Sequence, residues 1–320
     1  MWEVKFHDVK VFFGENSLSK LKDLKLKNVV IVTTRSLINT KLLNIVKEYS
    51  EAEKVIIGPS QHTPEEELLK LKNEVGENNV ISLGGGSIID AVKIISPKLH
   101  IAIPTTLSGA EHTAIAGFTR ASIKVSVKVN PPNIIILDPF VLEYTPKRLL
   151  ITSAFRALDH AVEAYYSTKA NLFTDALAYQ GYKYLVECLE VGELFKCQIG
   201  TWISALSFMY AGRGLSHVFG YIFGPRFNIP HGVTSCISLP NAIKFNYPVA
   251  KKKIESLDNN LHERILGLMK KYGIEERLSK YAELNEALKY STLLSELVNS
   301  SENPRKMSND DALEFIRSCF

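Results

Sequence analysis

Short β-branched runs alternate with helix-period segments through the first 146 residues and then stop. That change constrains the fold more than any other feature of the chain. Val29–Thr33, Lys54–Ile57, Val80–Leu83, Ile101–Ile103 and Asn133–Leu137 read as buried strands. A helical pattern runs from Ser36 to about Tyr49. A second helix has Thr63 as its cap, Pro64 at its first position and Glu65, Glu66 and Glu67 in its first turn, where carboxylates meet the positive end of the helix dipole. Repeated β-α-β order predicts a mainly parallel sheet covered by helices, because parallel neighbours need crossover connections. An apolar strand around Val9–Phe13 offers a means of pairing across a dimer.

After Pro146 helical spacing takes over, at about 147–167, 173–190, 197–211, 214–223 and 231–245. Lysine- and glutamate-rich helices follow, one opened by Ser308 with Asp311 three residues on, the pattern of a capping box. The reading is an α/β N-terminal domain with a mainly parallel sheet over residues 1–147, and an all-helical domain over 148–320. A net charge of +4 gives no reason to expect nucleic acid, and no stretch approaches the ~20 apolar residues of a membrane span. Cys188, Cys197, Cys236 and Cys319 form no CxxC pair and read as free thiols. With no signal-peptide pattern at the N-terminus, the expected location is cytoplasmic.

Two segments carry ligand chemistry. Gly84-Gly85-Gly86-Ser87 lies at a strand-to-helix turn, where glycines admit close approach and the helix start offers unpaired N–H groups to phosphate. Ser87 and Asp90 also fit a plain capping box, but three glycines exceed what a turn needs. Twenty residues on, Ile103-Pro104-Thr105-Thr106-Leu107-Ser108-Gly109-Ala110-Glu111 leaves another strand as a polar loop, and its hydroxyls are placed to meet ribose or phosphate.

Taken together, GGGSIIDAVK (84–93), IPTTLSGAE (103–111), NIIILDP (133–139), RALDHAVEAY (156–165) and the histidine stretch 214–232 resemble the iron-containing, or group III, alcohol dehydrogenase family. The likeness spans most of residues 29–247. The compact loop from Pro104 to Glu111 looks like that of the maleylacetate reductase branch. The resemblance implies a dinucleotide-binding domain, a helical domain and a reaction in the cleft between them. It implies cofactor contacts from Gly84, Gly85, Gly86, Ser87, Asp90, Thr105, Thr106, Ser108 and Lys124. Family metal ligands map onto positions 156, 160, 217 and 231. His160, His217 and His231 suit that pattern, whereas position 156, normally Asp, is Arg156. Position 221, usually a histidine near the nicotinamide, is Tyr221. Maleylacetate reductases are similar in lacking the Asp and in needing no metal.

Arg156 stands four residues before His160, on the same helical face. A dication ~4 Å from that guanidinium would meet roughly 8 kcal/mol of repulsion at an effective dielectric near 20, unless the arginine swings away, for instance onto Glu163. The expectation is therefore a metal-free centre of Arg156, His160, His217, Tyr221 and His231, with the three histidines as ligands should a metal bind. Asp159 points about 100° from His160 and is not expected to replace the missing ligand. Arg156 is expected to polarise a carbonyl oxygen and to depress the pKa of nearby histidines, with Tyr221 as proton donor. Thr34 and Arg35 follow the strand at 29–33. Where NAD-preferring relatives carry an Asp, Thr34 cannot repel a 2′-phosphate and Arg35 can pair with one. The reading is an NAD(P)H-dependent oxidoreductase interconverting an alcohol and a carbonyl compound, NADPH favoured and NADH usable, acting as a homodimer on a small, polar or acidic substrate. Its rivals are a metal-dependent dehydrogenase of the same fold, a lyase or cyclase related to dehydroquinate synthase, and a nucleotide-binding protein with a degenerate centre.

Overall fold

Every residue of Val29–Thr33 is buried, so this strand must have apolar neighbours on both faces, as a central strand of a covered parallel sheet does. The computed structural model, which describes residues 4–61, 63–120 and 123–320 without the side chains of 123 and 124, shows that arrangement. The chain divides into two compact units, Met1–Leu150 and Ile151–Phe320.

In the first unit the order is β1 (Lys10–Phe13), α1 (Lys20–Asp23), β2 (Val29–Thr33), α2 (Lys41–Ser50), β3 (Lys54–Ile57), α3 (Glu65–Val75), β4 (Asn79–Gly84), α4 (Gly86–Ile95) and β5 (His100–Pro104). Then come β6 (Ile115–Arg120), β7 (Ile123–Lys128), β8 (Ile134–Leu137) and α5 (Pro139–Leu142). Six strands form one parallel sheet in the order β1-β8-β5-β4-β2-β3. The two-residue period of a strand divides the core. Val29, Ile31, Ile81 and Leu83 join α2 in one apolar cluster, whereas Val30, Val32 and Val80 join α3 and α4 in another. From β2 the chain leaves toward β3, and from β4 it leaves the opposite way toward β5. The carboxyl ends of β2 and β4 are thus a topological switch point, the usual place for a ligand in an open parallel sheet.

One local reading, the cap of α3, needs correction. Thr63 does not cap α3. The N-cap is Pro64, and Thr63 takes a left-handed φ of 52° while its hydroxyl donates to the Ser87 carbonyl, 3.3 Å away. Ser87 and Asp90 form no capping box, because α4 is capped at Gly85 with no side-chain bond. The antiparallel hairpin β6–β7 was missed, although Val125 and Val127 alternate with Ser126 and Lys128 and pack with Phe118 against the α3 and α4 cluster. Strand β1 pairs with β8, as the parallel edge of this chain's own sheet.

The second unit is helical throughout its described residues. α6 (Lys147–Tyr166) leads into α7 (Leu172–Val191), α8 (Leu194–Ala211), α9 (Leu215–Arg226), α10 (His231–Leu257), α11 (Leu261–Lys271), α12 (Leu284–Leu288), α13 (Ser291–Asn299) and α14 (Asn309–Ser318). The capping box at Ser308 and Asp311 is present. Cys188 and Cys197 are not free thiols. Helices α7 and α8 form an antiparallel hairpin that turns at Gly192, bringing the two Cα atoms to 5.1 Å with a disulfide between them. Sequence spacing hid the pair because the helix end and turn between them separate, along the chain, partners that the hairpin stacks. Cys236 and Cys319 are buried and lie outside this disulfide. No helix of the described residues is long and apolar enough to cross a membrane.

Candidate active site

The glycine turn ends β4 and opens α4, so it lies at the switch point. No side chain caps the first amides of α4, leaving them available to an anion. The space above them is narrow by construction. A Cβ on Gly85 would stand 3.1 Å from the Thr106 methyl, and one on Gly86 would stand 2.9 Å from Ser108 Oγ. Thr106 and Ser108 therefore wall the turn, while the Thr105 amide bonds the Gly84 carbonyl at 2.9 Å. Asp90 and Lys93 pin the polar loop. Lys93 Nζ, fully buried, bonds the carbonyls of Ala110 and Ile115 at 2.6 Å each and pairs with Asp90 at 2.9 Å, and Asp90 accepts from the Gly117 amide. Asp90 is thus engaged with protein backbone and with Lys93. Thr34 caps a short 3-10 turn by accepting from the Ser36 amide, and Arg35 beside it is exposed. The side chain of Lys124 lies outside the described residues.

In the second unit α6, α9 and α10 assemble a buried charged cluster. Arg156, 4% exposed, makes one hydrogen bond, from Nη1 to Ser235 Oγ at 3.1 Å, and pairs with Asp159 Oδ2 at 3.5 Å. Its partner is Asp159, not Glu163. The Glu163 carboxylate instead closes the start of α9, accepting from the amides of Gly214 (2.9 Å), Ser216 (2.6 Å) and His217 (3.3 Å). It also takes His217 Nδ1 at 2.7 Å. A carboxylate so placed assigns the ring proton to Nδ1 and leaves the lone pair on Nε2, a buried atom with no hydrogen-bond partner. His160 stacks on His217 with ring centroids 4.9 Å apart, and Tyr221 lies parallel to His231 at 6.2 Å. Tyr221 and His231 are half-buried and lie close enough to act electrostatically on Arg156 and His217 respectively.

Burial is the first reason that His160 and His217 titrate well below the ordinary imidazole range, and the Arg156 charge is the second. Arg156 itself is pulled down by burial and held up by Asp159. Burial pushes Asp159 up to about 6, opposed by Arg156, Ser216 and Ser235. Burial and then Asp159 push Glu163 upward, against the amides it accepts. Sequence reasoning missed Asp159, Ser216 and Ser235 as parts of the centre. Their signal was helical spacing, since Ser216 adjoins His217 and Ser235 follows His231 by one turn.

A divalent ion does not fit these residues. Among the described residues, the ligand atoms that converge within 4.8 Å belong to Asp159, Glu163 and His217, not to the three histidines. Glu163 is already engaged by four N–H groups, His217 turns its protonated nitrogen toward it, and Asp159 faces a guanidinium. The His160 and His217 rings are stacked on each other, their planes 26° apart.

Comparison with known proteins agrees with this architecture. Residues 8–139 match the family described as iron-containing alcohol dehydrogenase, and residues 150–319 match the C-terminal part of the Fe-containing alcohol dehydrogenase family. Maleylacetate reductase 1 of Cupriavidus pinatubonensis is 30% identical over 60% of this chain and 59% of its own length, so the match spans less than two thirds of that relative. An NADPH-dependent butanol dehydrogenase of Clostridium saccharobutylicum is 27% identical over 94% of each chain. The crystal structure of maleylacetate reductase from Agrobacterium tumefaciens shares the fold, with a TM-score of 0.87 at 20% identity, covering 100% of this chain and 98% of that one.

Proposed function

Since the chain belongs to the iron-containing alcohol dehydrogenase family of alcohol/carbonyl oxidoreductases, and is maleylacetate reductase-like within it, we propose that it interconverts an alcohol and a carbonyl compound with NAD(P)H and without a catalytic metal. The observation that carries this reading is the buried Arg156–Asp159 pair at the position where a metal ligand is expected. The glycine turn and the uncapped start of α4 would hold the cofactor's phosphates, and Thr106 and Ser108 would border its ribose. A bound NAD(P)H supplies the hydride. Exposed Arg35 at the switch point favours NADPH, and the NADPH-dependent relative is in keeping with that.

Among the described residues Arg156 hydrogen-bonds through Nη1, which leaves Nε and Nη2 to stabilise a carbonyl oxygen as negative charge develops on it. Water exclusion around a group only 4% exposed strengthens that stabilisation. Tyr221 delivers the proton to that oxygen, with His231 stacked beside it and the open Nε2 of His217 available as an acceptor. The same guanidinium suits a small carbonyl substrate that carries a carboxylate. We also propose a homodimer, with the outer edge of β1 as its pairing surface. Replacing Arg156 by Ala is expected to lower kcat/KM for carbonyl reduction, followed as NADPH oxidation, by roughly 100- to 1000-fold, with Arg156→Lys in between. Full activity in the alanine variant would defeat the reading.

A further inference from the structure

Asp159 is completely buried and sits where α6, α9 and α10 converge. Its Oδ2 accepts from Ser216 Oγ and from Ser235 Oγ, each at 2.7 Å, and faces Arg156 Nη1 at 3.5 Å. A serine hydroxyl carries one proton. Ser235 gives its proton to Asp159, so the lone pair of Ser235 is what Arg156 Nη1 meets at 3.1 Å. Charge and hydrogen-bond direction therefore point to the same spot. Asp159 Oδ1 is buried, accepts no hydrogen bond among the described residues and faces His217 Nδ1 at 3.6 Å, but that nitrogen is engaged by Glu163 at 2.7 Å, so the guanidinium is the permanent cation that faces this carboxylate.

We propose that Asp159 and Ser235 form a buried seat for a planar organic cation, which Arg156 fills with its own tethered guanidinium. Asp159 is then a positioning residue. It holds Arg156 charged and in one orientation, and it is the reason that an arginine is tolerated among buried histidines. The seat is a property of the three helices and persists when the tether is cut. Its natural occupant is intramolecular, but a free guanidinium of matching chemistry would enter it. The seat follows from the geometry of the cluster and is independent of the oxidoreductase reading.

Two measurements on the full chain test the seat without using turnover. In the first, Arg156→Ala is melted in methylguanidinium chloride at low millimolar concentration, against sodium chloride at equal ionic strength. A rise in Tm of several degrees is expected for that variant, with none for the native protein and none for Arg156→Ala/Asp159→Asn. In the second, Asp159→Asn alone is expected to lower Tm by about 5–10 °C, because it leaves a buried cation unpaired. Adding Arg156→Met to Asp159→Asn should restore at least half of that loss. Should Arg156→Ala fail to fold, the second comparison decides alone. A methylguanidinium response no larger than the native protein's, or a double variant no more stable than Asp159→Asn, would overturn the proposal. Loss of NADPH oxidation with both signatures intact would count against the proposed reaction only.

Discussion

At position 100 an imidazole lies inside the parallel sheet, 4% exposed, with Nε2 2.8 Å from Ser82 Oγ. Burial first, and the Lys93 charge second, hold its pKa at about 3, against 6.5 for a free imidazole. Folding therefore keeps His100 neutral while the unfolded chain protonates it. The stability this contributes is fully present above pH 6.5 and is lost progressively as pH falls toward 3. The slope is one proton wide, so about 2 kcal/mol should disappear between pH 6.5 and 5, rising to on the order of 4–5 kcal/mol near pH 3. Urea unfolding of the native protein and of His100→Gln at pH 7 and pH 5 checks this, with the variant expected to lose about 2 kcal/mol less. Parallel losses in the two proteins would show that His100 is not the sensor. The same balance governs the centre, where sequence reasoning anticipated low histidine pKa values but assigned them to Arg156. Desolvation is the larger cause.

Helix α4 shows what was legible along the chain and what was not. The three glycines, the polar loop and the parallel order were visible, because strand period and Gly-rich turns are local signals. The start of α4 carries no capping box. Ser87 and Asp90 have the right spacing for a box, but Asp90 is drawn to Lys93 and to the Gly117 amide, partners that only the fold supplies. Asp159 escaped for the same reason. Its orientation relative to His160 was judged along one helix, whereas Ser216 and Ser235 reach it from two others. The Cys188–Cys197 bridge likewise needed the α7–α8 hairpin. Geometry at α4 makes its own prediction. A Cβ at Gly86 collides with Ser108 Oγ at 2.9 Å, so Gly86→Ala should weaken NADPH binding by at least about tenfold while leaving the fold intact. Removing the obstacle in Gly86→Ala/Ser108→Gly should recover most of that affinity. Fluorescence titration with NADPH reads both. Equal weakening in the single and double variants would mean that the collision is not what limits binding.

For the whole molecule, charge neutrality inside the second unit decides what the protein needs from solution. Asp159 is balanced by Arg156, and Glu163 by the amides at the start of α9, so no dication is required to compensate either carboxylate. A dication brought to ~4 Å from the guanidinium would meet roughly 8 kcal/mol of repulsion. Dialysis against EDTA should therefore leave both Tm and the rate of NADPH oxidation unchanged, and added zinc or ferrous ion should raise neither. NADPH should behave differently. At 100 times its Kd it should stabilise the folded chain by about 2.7 kcal/mol, a rise in Tm of roughly 5–10 °C, with NADH at the same concentration giving less. Melting curves and initial rates on the same dialysed sample check the two together. Activity that vanishes on chelation and returns with zinc or iron would show that Arg156 moves aside for a metal, and the assignment of the electrophile to its guanidinium would fall.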